Sequence, residues 1–221
     1  MAFLLTGILQ SNNGSLTLAY QTSLVSSTST TTPSFSGANL GTASADRYIV
    51  AVFASLRSVS GAMAVGTAVI AGVAANIVVQ GNASAHGETC AIAIANVTSG
   101  TTGTISWVTN QTANRHEVST YSVTGGLQST TPTTTAIFTS GLSTPSVSIN
   151  VNAGGVALGE IQTNIGSTTN TWTGLTKNTD GLADVGWSTA SGAFATQQTG
   201  LTVTAQPSSG NQGALVVASF R

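Results

Sequence analysis

Arg47–Leu56 reads RYIVAVFASL, and after the first arginine the run is apolar at odd and even positions alike. A strand with one wet face alternates apolar and polar residues; one covered on both sides does not. This stretch therefore predicts a central strand with packed material above and below it.

Further strand signals flank it at short spacing. Ser15–Gln21 (SLTLAYQ) sets Leu16, Leu18 and Tyr20 on one face against Thr17 and Ala19 on the other. Asn76–Gln80, Thr89–Asn96 (TCAIAIAN), Gly103–Thr109 and Val118–Thr124 follow, then 134–139, 146–151, 155–162, 184–188, 201–205 and 214–220. Turn-formers separate them, among them Gly81–Asn82, Gly125–Gly126, Gly154–Gly155 and Ser209–Gly210. Gly61–Ala75 is rich in alanine, yet Gly66, Gly72 and its β-branched residues argue for strands over a helix. About a dozen short strands at this spacing predict an all-β fold, an antiparallel β-sandwich of the jelly-roll kind. Two immunoglobulin-like domains are the alternative architecture.

Residues 23–41, beginning SLVSSTSTTTPSFSG, hold little apolar material and contain Pro33. They read as a Ser/Thr-rich linker joining an N-terminal β arm, 1–22, to a sandwich domain, 42–221. One or two strands cannot bury an apolar face alone. Phe3, Leu4, Leu5, Ile8, Leu9, Leu16 and Leu18 accordingly need a surface, either the chain's own core or a partner's. The last residues, GALVVASFR, stay apolar almost to the end and predict a buried inner strand.

Charge is scarce. Only 5% of the 221 residues are charged, five basic and six acidic, for a formal net charge of −1; ordinary domains carry roughly 25%. No basic patch can neutralise many phosphates, so neither nucleic acid nor an anionic membrane surface is an expected partner. Met1–Gln10 is too short to span a bilayer and lacks a basic flank. With mean hydropathy at +0.28, the chain is expected to clothe its surface in Ser, Thr, Asn and Gln and to bury part of it in an assembly.

The search for chemistry is correspondingly short. Cys90 is the single cysteine and reads as a small buried hydrophobe. His86 falls in a turn, and no nucleophile elbow exists. His116 lies in Asn114–Glu117 (NRHE), which reads as a polar strand start at the surface or an inter-subunit ion pair. Asn178, Asp180 and Asp184 offer oxygens to calcium, but an Asp-Gly turn accounts for them more simply. Glu160, within an apolar strand, is expected to be partly buried and paired with Arg115 or Arg57. Trp107 reads as core, and Trp172 (TNTWTG) as an exposed stacking face for a glycan. No cofactor or metal site is expected, and the chain reads as a structural or binding component, not an enzyme.

Taken in order, DRYIVAVFASL (46–56), AVIAGVAANIVV (68–79), TSGTTGTISWV (98–108), VSTYSVTGG (118–126) and GALVVASFR (213–221) resemble β-sandwich virion proteins of tailed bacteriophages. The resemblance spans most of residues 42–221 and rests on strands and turns without a chemical signature. It implies a virion component on the capsid surface or in the tail. The first expectation is a capsid decoration or cement protein that binds the major capsid protein, forming a homo-oligomer such as a trimer. A tail or fibre module binding host-surface glycans is the alternative.

Overall fold

The computed structural model describes residues 14–83, 87–141, 144–163, 169–181, 186–208 and 212–221. They form sixteen strands, with no helix among the described residues. The first eight are β1 (Thr17–Ser26), β2 (Ser34–Asn39), β3 (Tyr48–Leu56), β4 (Val65–Ile70), β5 (Val73–Ala83), β6 (Glu88–Asn96), β7 (Thr102–Thr109) and β8 (Arg115–Thr124). They make one antiparallel sheet in the order β1-β8-β3-β6-β5-β4-β7-β2. The remaining strands are β9 (Thr134–Gly141), β10 (Ser146–Val151), β11 (Gly155–Thr163), β12 (Asn170–Thr173), β13 (Thr176–Asp180), β14 (Gly186–Phe194), β15 (Gln198–Pro207) and β16 (Gln212–Phe220). They form a five-stranded sheet, β13-β14-β11-β16-β9, and a three-stranded sheet, β10-β15-β12. The expected antiparallel all-β sandwich is thus present.

Period-two alternation distributes the side chains into three cores. Ile49, Ala51 and Phe53 of β3, with Ala91 and Ala93 of β6, face Phe35, Ile70, Ile105 and Trp107. This requires the eight-stranded sheet to curl until β1 and β2, its two ends, lie side by side without pairing. Trp107 stacks between Phe53 (centroids 4.5 Å apart) and Phe35 (5.6 Å), filling the interior of the curl. The opposite residues of the same strands, Val50, Val52, Ile92 and Ile94, meet Val156, Leu158, Val216 and Phe220 of the five-stranded sheet. The outer face of that second sheet, with Ile161, Leu215 and Val217, is covered in turn by β10, β12 and β15 through Ile149, Trp172 and Val203. Strands β3, β6, β11 and β16 are therefore packed on both faces, which is why apolar residues occupy odd and even positions alike along most of their length. Each fully buried Val, Leu or Ile contributes about 1.5–3 kcal/mol relative to exposure.

One hairpin shows the backbone demand plainly. Between β4 and β5 the chain reverses over Ala71 (φ 51°) and Gly72 (φ 82°), both left-handed as a two-residue turn requires. Ala71 is the one described non-glycine residue there, and its N–H donates to Thr104 O at 2.8 Å.

Two placements differ from the sequence reading. Residues 23–26 continue β1, and Ser34–Asn39 is the edge strand β2, so strands occupy much of the expected linker. Hydroxyl side chains suit an edge whose one face is wet, and here they mark half-buried strands. Leu16 is only 3% exposed, in the core shared by the two large sheets, and Leu18 packs against it. These two leucines serve the chain's own interior, the first of the two surfaces expected for them. Phe3, Leu4, Leu5, Ile8 and Leu9 lie outside the described residues.

Candidate functional site

The chemistry-bearing side chains gather in the layer between the two large sheets. Glu117 of β8, Glu88 and Cys90 of β6, and Glu160 and Gln162 of β11 are all buried. Register explains the convergence. Glu117 and Cys90 both pair with Ala54 of β3, and Gly81 of β5 pairs with Cys90, so these positions form one row across the first sheet. On the second sheet, Glu160 neighbours Thr189 and Val216 across the ladder. Trp187 Nε1 donates to Glu160 Oε1 at 2.7 Å, while Glu160 Oε2 and both oxygens of Glu117 have no hydrogen-bond partner.

A carboxylate cannot remain ionised in such a place without a cation or several donors. Burial pushes the carboxyl of Glu160 well above its ordinary range, only partly opposed by the Trp187 hydrogen bond. Burial does the same to Glu117, and the neighbouring Glu160 adds to it. The Cys90 thiol is also raised, first by burial and then by Glu160. Both surroundings favour the neutral, protonated acid over the carboxylate. Beside them a chain of hydroxyls crosses the layer: Tyr20 to Ser23 (2.7 Å), Ser23 to Ser119 (2.6 Å), and Tyr121 to Thr189 (2.7 Å). Tyr121 Oη also donates to Asn178 Oδ1 at 3.1 Å.

These positions correct two expectations. The expected pairing of Glu160 with Arg115 or Arg57 does not form; an indole takes the place of the guanidinium. The NRHE segment is not a surface strand start, since His116 and Glu117 are each 1% exposed. The strand begins at Arg115, three residues before the apolar run does at Val118, which carries both side chains inside. Extending the alternation of Tyr121 and Val123 back through Ser119 to Glu117 is the signal that locates this carboxyl.

A second polar group lies within the curled sheet. His116 Nδ1 is 2.9 Å from Ser55 Oγ, and Trp107 Nε1 donates to that oxygen at 3.0 Å. His116 Nε2 lies 3.2 Å from Ala113 O, so the proton sits on Nε2 and Ser55 donates to Nδ1. Burial lowers the His116 pKa and keeps the ring neutral. A Ser–His contact is the opening of a nucleophile–base pair, yet Ser55 is 1% exposed and its hydroxyl joins two buried rings. The pair braces the curl.

Other expected ligands disperse. Asn178 accepts from Tyr121, whereas Asp180 accepts from Lys177 Nζ (2.6 Å) and from Asn170 N (3.1 Å). Asp184 lies outside the described residues, as does His86. Trp172 is half-buried against the outer core and donates to Ser188 Oγ at 2.8 Å, so it is not the free stacking face expected.

Arg47 is fully buried and meets no carboxylate among the described residues. Its guanidinium donates to the carbonyls of Val97, Leu40, Gly41, Ser99 and Gly100 at 2.8–3.3 Å. It clasps the turn after β2 to the turn after β6. Beside it an open cleft of about 620 Å³ is lined by Gly72, Asn96, Thr98, Ser99 and Thr104 among others, with no titratable side chain.

Burial thus removes Arg47, Glu88, Glu117 and Glu160 from a surface already poor in charge. Asp46, Arg57, Arg115, Lys177, Asp180 and Arg221 are the charged residues left outside the core among the described residues. No described helix is long and apolar enough to cross a membrane. Comparison of the chain with protein-family models, curated proteins and solved structures finds no match.

Proposed function

We propose that this chain is a non-enzymatic structural protein of a virion, a capsid decoration or cement protein that binds the major capsid protein and stabilises the shell. The observation that carries the reading is the internal use of charge. Four of the eleven charged side chains are buried, and the outward strands carry Ser, Thr and Asn. A protein crowded beside many copies of itself on a lattice benefits from a neutral, hydroxyl-rich exterior, because repulsion between copies would otherwise oppose occupancy. The three stacked cores supply rigidity, and the resemblance of residues 46–126 and 213–221 to phage sandwich proteins points the same way.

Three clefts among the described residues, beside Asn96, Asn152 and Phe194, include none of the buried glutamic acids in their lining. The glycan-binding alternative is weakened, since Trp172 is half-buried and hydrogen-bonded. The experiment is co-sedimentation with purified phage shells stripped of their own copies. The intact chain is expected to bind at a fixed number per capsomer. A variant lacking residues 1–13, which keeps Leu16 and β1, is expected to bind less, because Phe3, Leu4, Leu5, Ile8 and Leu9 are proposed to reach the partner. Failure of the intact chain to bind such shells overturns the reading; unchanged binding by the shortened chain overturns the role of those five residues.

A further inference from the structure

The six edge strands of the three sheets are protected very unequally. Strand β1 is broken in register between Tyr20 and Thr22, β2 between Phe35 and Ala38, and β10 between Ile149 and Val151. Strand β12 is four residues long. Strand β13 is broken between Lys177 and Thr179 and carries the Lys177–Asp180 ion pair. Bulges, brevity and charge are the devices by which sheets discourage pairing with another chain. Strand β9 has none of them. Its eight residues, TTAIFTSG, contain no charge and no proline, and they pair with β16 in unbroken register from Thr134↔Ser219 to Gly141↔Gln212. Ile137, at its middle, is 51% exposed.

Strand β9 is also held firmly in place. Ile137 lies over Gly81 of β5 on one face, and Ala136 packs into the outer core on the other. Both faces are supported by the chain itself, and no described strand pairs with the outer edge.

We propose that β9 is a homodimer edge: two copies pair β9 with β9, antiparallel about a two-fold axis, and join their five-stranded sheets into one of ten strands. A second copy fits this edge better than a head-to-tail arrangement. Joining β9 to the opposite edge of the same sheet would require the bulged, charged β13. Two-fold pairing matches one flat, uncharged edge with its own likeness, sets no like charges opposite each other, and closes without propagating a filament. The nearly uncharged exterior leaves little long-range repulsion to oppose it. This inference stands apart from the virion reading, because the pairing would occur in purified protein without any particle.

The test is sedimentation equilibrium of the full chain from about 1 µM to about 1 mM. Wild type is expected to show a monomer–dimer equilibrium, with β9 amides exchanging more slowly as concentration rises. Ile137→Lys sets two cations near the two-fold axis and is expected to raise the dimer dissociation constant at least about ten-fold. Val108→Lys places the same charge at a comparably exposed position on β7 (42%) and is expected to leave the dimer unchanged. Circular dichroism checks that both variants keep their strands. A wild type that stays monomeric throughout overturns the proposal, as does a folded Ile137→Lys protein that dimerises like wild type.

Discussion

Replacing Glu117 and Glu160 together by glutamine should reshape how stability depends on pH. Both carboxyls are buried between the sheets and titrate above the ordinary value of 4.5. In the unfolded chain they lose their protons as pH rises through that value, while in the folded chain they keep them. The folded state then binds more protons, so stability is greatest below pH 4.5 and falls as pH rises, until the folded groups ionise. The slope is about 1.4 kcal/mol per pH unit for each group, or about 2.5 kcal/mol per carboxyl between pH 5 and pH 7 while the folded group stays protonated. Two such groups set a ceiling of about 5 kcal/mol. His116 acts in the opposite sense: its lowered pKa gives stability that is lost as pH falls below 6.5. Comparing wild type with Glu117→Gln/Glu160→Gln cancels that contribution, because His116 is common to both. Glutamine at 160 also keeps an acceptor for Trp187 Nε1. Urea unfolding followed by tryptophan fluorescence at pH 5, 6 and 7 gives the difference. The double variant should gain on wild type by at least about 2 kcal/mol across that range. Equal pH slopes in the two proteins would refute the burial of these two carboxyls in this layer.

Three further outcomes follow from the packing. Arg47→Met removes a guanidinium that holds five carbonyls, so thermal unfolding should show a loss of about 3 kcal/mol or more. Ser55→Ala leaves Trp107 Nε1 without its acceptor and His116 Nδ1 without its donor, and should cost about 2 kcal/mol in urea titration. Deleting residues 216–221 removes most of β16, which pairs with both β11 and β9, and should abolish the cooperative unfolding transition.

The central layers were legible because strands covered on both faces announce themselves. RYIVAVFASL, TCAIAIAN and GALVVASF became β3, β6 and β16 nearly to the residue. The polar strands were harder to see. Strands β2, β12 and β13 carry SFSGAN, NTWT and TKNTD, which resemble loops until a sheet edge exists for them to join. Glu117 was hidden by the same habit of starting a strand at its first apolar residue. That it nears Glu160 depends on two sheets meeting, a long-range fact that spacing along the chain does not contain. The division of labour among strands was likewise invisible. Strands β1–β8 build the curled sheet and β9–β16 the other two, so the change of sheet falls between residues 124 and 134. The core containing Leu16, Val52, Val216 and Phe220 joins the two halves.

The claim that this chain dresses a capsid is tested most directly by locating it on particles. Immunogold labelling of virions purified from the source lysate, with antibody raised against the folded chain, should decorate the head uniformly. Label absent from the particles, with the chain found only in the free-protein fraction, would contradict the account.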